Sequence, residues 1–235
     1  MLIVRAIFGK YPYNIWKEHP YWCRFDVGFT GQLLVYSGYS LGIMSIERFF
    51  LICFNIKLSV LVWFSLIALT WTAQFALVWV ALSDGLQILT RTEVQCGALP
   101  IRSGYYAYVL AIFLLFFSFF CVITSYCSIS IVKFRQCLNQ INLNVPKEQV
   151  YTEFRTVLVK SVVNITLYII LYSPKVYVAL YELTTGQKRT IVMDIISNSL
   201  ILYSVIVNAF ILFYMNQQVR NSFIQLLKDI KSAIF

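Results

Sequence analysis

Apolar residues run along this chain in five stretches that polar positions scarcely interrupt. Residues 58–82, LSVLVWFSLIALTWTAQFALVWVAL, carry no charge, and neither do 104–132 or 195–215. Residues 161–181 hold a single charge, Lys175, and the run VGFTGQLLVYSGYSLGIMSI at 27–46 makes a fifth stretch. A helical crossing of a bilayer needs about 20 mostly apolar residues. Membrane β-strands are only about 10 residues long and alternate with polar positions, so these long, uniform runs predict helices. The pattern therefore predicts an all-α polytopic transmembrane helix bundle in a single domain, 1–235. Its spans are expected at about 27–54, 58–82, 104–132, 155–181 and 191–215. Near the end, Val219, Phe223, Leu226, Leu227, Ile230 and Ile234 recur at helical spacing. They predict an amphipathic helix over about 216–234, lying flat on the membrane or packing as a soluble helix.

Composition strengthens the membrane reading. Hydrophobic residues make up 60% of the chain and charged residues 12%, about half the charge a soluble surface usually carries. The net charge of +9 is spread over loops and ends. No basic block interleaves with aromatics, so no nucleic-acid surface is expected; basic residues near helix ends instead reflect orientation and lipid headgroups. Residues 1–10, MLIVRAIFGK, look like the tail of another apolar segment, and the loops near 83–103, 133–153 and 182–190 are too short to divide domains. The one histidine, His19, lies in a Pro-rich loop, and no phosphate loop, zinc motif or Ser-His-Asp set is visible. No enzymatic activity, cofactor or metal is expected.

Sidedness follows from distance. Cys23 and Arg48 are 48 − 23 = 25 positions apart, roughly 37 Å along a helix, whereas the hydrocarbon core is about 30 Å thick. They are expected at opposite faces, and the 83–103 loop returns to the Cys23 side carrying Cys96. If that side is extracellular, a Cys23–Cys96 disulfide is sterically possible and redox-permitted; two free loop thiols are the alternative. Lys133, Arg135, Lys147 and Arg155 fall on the Arg48 side, although Arg5, Lys10, Lys17 and Arg24 on the other side blunt the contrast.

Glu47 and Arg48 stand together where the first span reaches its inner interface. By themselves they read as interface anchors, able to hold each other when no partner is present. Their surroundings say more. Ser37, Leu41, Met44, Ser45, Glu47, Arg48 and Phe49 follow the pattern Ser-x3-Leu-x2-(Ile/Met)-Ser-x-(Asp/Glu)-Arg-(Tyr/Phe). In this the segment resembles the third helix of rhodopsin-like G-protein-coupled receptors, and the likeness continues to the end of the chain. Cys23 and Cys96 match the family's cysteines, Trp71 the fourth-helix tryptophan, Tyr126 the fifth-helix tyrosine that meets the arginine on activation, Pro174 the sixth-helix kink proline and Asn208 the seventh-helix asparagine. Ser118 departs from the fifth-helix proline, Tyr172 from the sixth-helix tryptophan, and Ala209 and Leu212 from the seventh-helix proline and tyrosine, with Tyr214 two residues later. By this likeness the chain spans helices three to seven and lacks the first helix and most of the second.

The resemblance implies a plasma-membrane receptor that transmits an extracellular ligand signal to a heterotrimeric G protein. Glu47, Arg48, Tyr126, Pro174 and Asn208 would form its switch. A non-signalling fragment that pairs with a full-length receptor is a further expectation. An ionisable residue inside a span is a functional candidate, so Lys175 leads the ligand-pocket candidates Phe29, Thr30, Tyr172, Lys175 and Asp194. Internal pairing of Lys175 with Asp194, Asp26 or Glu182, or snorkelling, stands beside ligand contact. Thr30 replaces the aspartate of amine receptors and Leu202 the retinal lysine of opsins, so neither an amine nor retinal is expected. The alternative is a small transporter or channel subunit whose path Lys175 and Asp194 would line.

Overall fold

The computed structural model describes residues 14–93, 95–143, 145–215 and 217–234; the side chains of Ile15, 211–220 and 230–234 lie outside the description. The apolar opening at 1–10 is thus outside the described residues, as are the side chains of Leu212, Tyr214, Val219, Ile230 and Ile234.

The long apolar runs fold as helices because a backbone in such surroundings satisfies its own hydrogen bonds. Two short turns of helix, α1 (Ile15–Glu18) and α2 (Pro20–Phe25), lead into a π-helical segment, Asp26–Gly31. The chain then continues as α3 (Gln32–Cys53), α4 (Val60–Ser83), α5 (Ser103–Asn142), α6 (Lys147–Thr185), α7 (Ile191–Met215) and α8 (Gln217–Ile234). Among the described residues four helices, α4 to α7, are long and apolar enough to cross a membrane. Helix α3, expected as the first span, is less apolar because it carries serines, glycines and tyrosines packed at the centre of the bundle. Val35, Tyr36, Gly38, Tyr39, Gly42, Ile43 and Ser45 are all buried there.

Two glycines one turn apart make this centre compact. A methyl group at Gly38 would sit 2.7 Å from Cε1 of Tyr172 on α6, and one at Gly42 would collide with Ser118 on α5. Bare backbone at i and i+4 lets neighbouring helices approach closely, as small residues do at membrane helix contacts. The core then gathers Tyr36, Tyr39, Leu115, Val122, Tyr126, Tyr168, Leu171, Tyr172 and Ile201.

Helices α5 and α6 outrun the expected spans. At 40 and 39 residues they are roughly 60 Å long, twice the hydrocarbon thickness. The segment 133–153, expected as a loop, is helix through Asn142 and again from Lys147. Phe134 packs on Phe154 with ring centroids 5.5 Å apart, and Cys137 and Val150 are buried, so apolar contacts zip the two extensions together.

At the other end the 83–103 segment folds into a two-stranded antiparallel hairpin, β1 (Gln87–Leu89) and β2 (Cys96–Ala98), with Ile88 opposite Gly97. A disulfide joins Cys23 to Cys96, closing the choice between a bond and two thiols. Trp16, Val27, Val78 and Leu82 pack around it. In α8, Phe223, Leu226 and Leu227 are exposed, leaving an apolar face open on one side of a polar helix.

Candidate functional site

The site begins at the arginine end of the bundle. Arg48 closes the last turns of α3, and its Nη1 donates to the Tyr126 hydroxyl on α5 at 2.8 Å. The expected mutual hold of Glu47 and Arg48 is not what the side chains adopt: among the described residues Arg48 makes no ion pair. A cavity of about 260 Å³ opens beside this contact, walled by α3, α5, α6 and α7. Leu41, Met44, Val122, Leu167 and Leu171 supply apolar walls, with Arg48, Tyr126, Asn164 and Asn208 as polar points.

A polar layer closes the cavity on its upper side. Tyr168 donates to Ser118 Oγ at 2.6 Å, and Ser118 Oγ donates to the Gly38 carbonyl at 2.8 Å. Tyr172 is fully buried, and its hydroxyl shares hydrogen bonds with Ser37 at 2.8 Å and Ser204 at 3.2 Å. Asn208 Nδ2 donates to the same hydroxyl at 3.4 Å. Ser118 on α5 and Tyr172 on α6 thus both lie against Gly38 of α3. Most buried polar groups in proteins are partnered, and each hydroxyl of this layer has a partner. Pro174 lies two residues beyond Tyr172, inside a helix that runs on through it.

Above the layer, at the disulfide end, lies a second cavity of about 120 Å³ roofed by the hairpin. Lys175 lines it and donates to Asn198 Oδ1 at 3.4 Å. Asp194 does not reach Lys175 as an ion pair. It is fully buried and paired with Arg189 Nε at 3.2 Å, and it also accepts hydrogen bonds from Thr92, Gln95 and Asn198. Arg189 reaches Glu182 at 3.5 Å as well, and Glu182 accepts from the Tyr108 hydroxyl at 2.9 Å. One guanidinium thereby serves two carboxylates, and two of the donors to Asp194 come from the hairpin turn. The roof is held down by charge as well as by the disulfide.

Of the remaining pocket candidates, Tyr172 lies in the layer below this cavity, while Phe29 and Thr30 line neither cavity. The π-helical turn explains the displacement: an extra residue per turn rotates the side chains it carries. Phe29 consequently packs against Phe25, Phe75 and Trp79 at 4.9, 5.6 and 5.8 Å and is 39% exposed. Asp26 turns inward instead, is fully buried, and accepts the Cys96 backbone N–H at 3.0 Å.

Sequence reasoning passed over two residues of the second cavity. Arg189 reads as an ordinary loop charge, and nothing nearby signals its burial. Gln74 could have been found, because it is the single amide in the uncharged run 58–82, and polar groups inside spans are functional candidates. Its Nε2 donates to the Ala107 carbonyl at 3.2 Å, but its buried Oε1 has no partner among the described residues. Also among the described residues, no group of His, Cys, Asp and Glu is arranged to hold a metal ion. The chain matches no family model and no curated protein.

Proposed function

We propose that this chain is a signal-relaying membrane receptor of the rhodopsin-like kind. A ligand arriving at the disulfide end binds in the cavity that Lys175 and Gln74 line, and the arginine end passes the signal to a heterotrimeric G protein at the plasma membrane. Ligand binding shifts a pre-existing equilibrium of the bundle by as much as its affinities for the two states differ. The observation that carries the reading is a closed partition: two cavities in one bundle, Lys175 lining one and Arg48 the other, with fully buried Tyr172 between them. That layout suits relay, in which side chains move and nothing passes. A transporter or channel subunit would need a path where the tyrosine layer stands, and would use Asp194, which Arg189 already occupies.

The test is nucleotide exchange on a co-expressed G protein. Arg48→Ala is expected to abolish exchange, and Lys175→Ala to alter the response to at least one active ligand. Unchanged exchange with Arg48→Ala overturns the coupling. Solute flux across vesicles that follows Lys175 substitution and ignores G protein would favour the transporter instead.

A further inference from the structure

We infer that the cavity beside Arg48 binds an anionic amphiphile, with a carboxylate or phosphate headgroup on the guanidinium and an alkyl chain along the apolar wall. Three observations converge there. First, the cavity is large: about 260 Å³, where about 150 Å³ of apolar space suffices to hold a benzene ring. Second, its walls are mainly aliphatic, from Leu41, Met44, Val122, Leu167 and Leu171. Third, the charge on its rim has no counter-ion among the described residues. Arg48 gives one of its five N–H donors to the neutral Tyr126 hydroxyl, and it makes no ion pair among the described residues.

The contrast with Arg189 is instructive, since that guanidinium meets two carboxylates within 3.5 Å. A cation at the edge of a low-dielectric cavity seeks an anion, and a guanidinium matches carboxylate and phosphate oxygens in a two-pronged geometry. A neutral apolar guest would fill the volume and leave the remaining donors unmet. A free anion would meet the donors and leave the walls bare. A molecule carrying both parts answers both. A fatty carboxylate arriving from solution and a phospholipid arriving from the bilayer share this chemistry. The occupant would cover the residue assigned above to G-protein contact, so its regulatory effect, an inhibition, rests on that reading; the binding does not.

The full chain in phosphatidylcholine nanodiscs is titrated with decanoate and, separately, with decanol, with no G protein present. Decanoate is expected to bind at least tenfold more tightly than decanol. Arg48→Met should remove that preference and leave decanol binding unchanged, Arg48→Lys should keep most of it, and Leu167→Phe should weaken both ligands by filling the space. Replacing a third of the lipid with phosphatidylglycerol distinguishes the sources. Competition with decanoate that Arg48→Met abolishes assigns the site to a lipid headgroup, and unaltered decanoate binding assigns it to a soluble acid; both support the site. Equal binding of decanoate and decanol in the parent chain overturns it, whatever the variants do. With G protein added, decanoate should slow exchange at least several-fold. If binding follows prediction while Arg48→Ala leaves exchange intact, the coupling reading fails and the site stands.

Discussion

Arg48 on α3 and Tyr126 on α5 are 78 positions apart in the chain and joined by a 2.8 Å hydrogen bond from guanidinium to phenol. That bond ties two helices together at the end of the bundle where the larger cavity opens. A hydrogen bond to a charged group contributes about 1.5–3 kcal/mol, enough to bias a two-state equilibrium at least tenfold. Tyr126→Phe keeps the ring and deletes the acceptor. It is expected to cut nucleotide exchange by about tenfold, measured on reconstituted chain with G protein, and to lower the unfolding temperature by a few degrees.

Gly38 admits no side chain. Gly38→Ala drives a methyl group into the Tyr172 ring, and overpacking of this kind costs about 1–3 kcal/mol. A lowered unfolding temperature in detergent is expected, and a double-mutant cycle with Tyr172→Ala should return a coupling of about 1 kcal/mol or more.

Arg189 and its two acids test the roof. Removing one partner of a buried ion pair costs about 3–5 kcal/mol because the remaining charge is stranded. Arg189→Ala should therefore destabilise strongly, whereas exposed Lys188→Ala should stay within about 0.5 kcal/mol. Protease sensitivity of the 86–99 hairpin reports the same difference locally.

The Cys23–Cys96 bond closes a loop of 73 residues. Chain entropy alone makes that worth about 4 kcal/mol. Cys23→Ser should lower the unfolding temperature, and reductant should do the same to the parent chain while leaving the variant unaffected.

How far the sequence reaches depends on what decides each feature. Helices α4 to α7 were legible because length and apolarity alone determine them. The disulfide was legible because helix rise sets Cys23 and Arg48 at opposite faces and counting spans returns Cys96 to the Cys23 side. Tyr126 was picked out only through the resemblance to rhodopsin-like receptors, since nothing local to its apolar run marks it. The π-helical turn at Asp26–Gly31 leaves no such trace: one extra residue per turn hardly alters an apolar pattern, yet it moves Phe29 and Thr30 off the cavity and brings Asp26 in. The strands around Ile88 and Gly97 are three residues long, too short to show an alternation. Arg189 and Asp194 flank a helix start, where charges are common, so nothing marked them as a buried pair. Continuation of α5 past Lys133 depends on Phe134 meeting Phe154, a tertiary contact that no local window contains.

The length of α6 has a mechanical consequence. From Pro174 to Lys147 the helix spans 174 − 147 = 27 residue steps, or about 40 Å. Rotation by about 10° about the proline would sweep the far tip through about 7 Å, while atoms one turn from the fulcrum would travel about 1 Å. Because Phe134 packs on Phe154, any such rotation would press on the extension of α5 as well, and its travel at the far tip would be several times that beside Lys175.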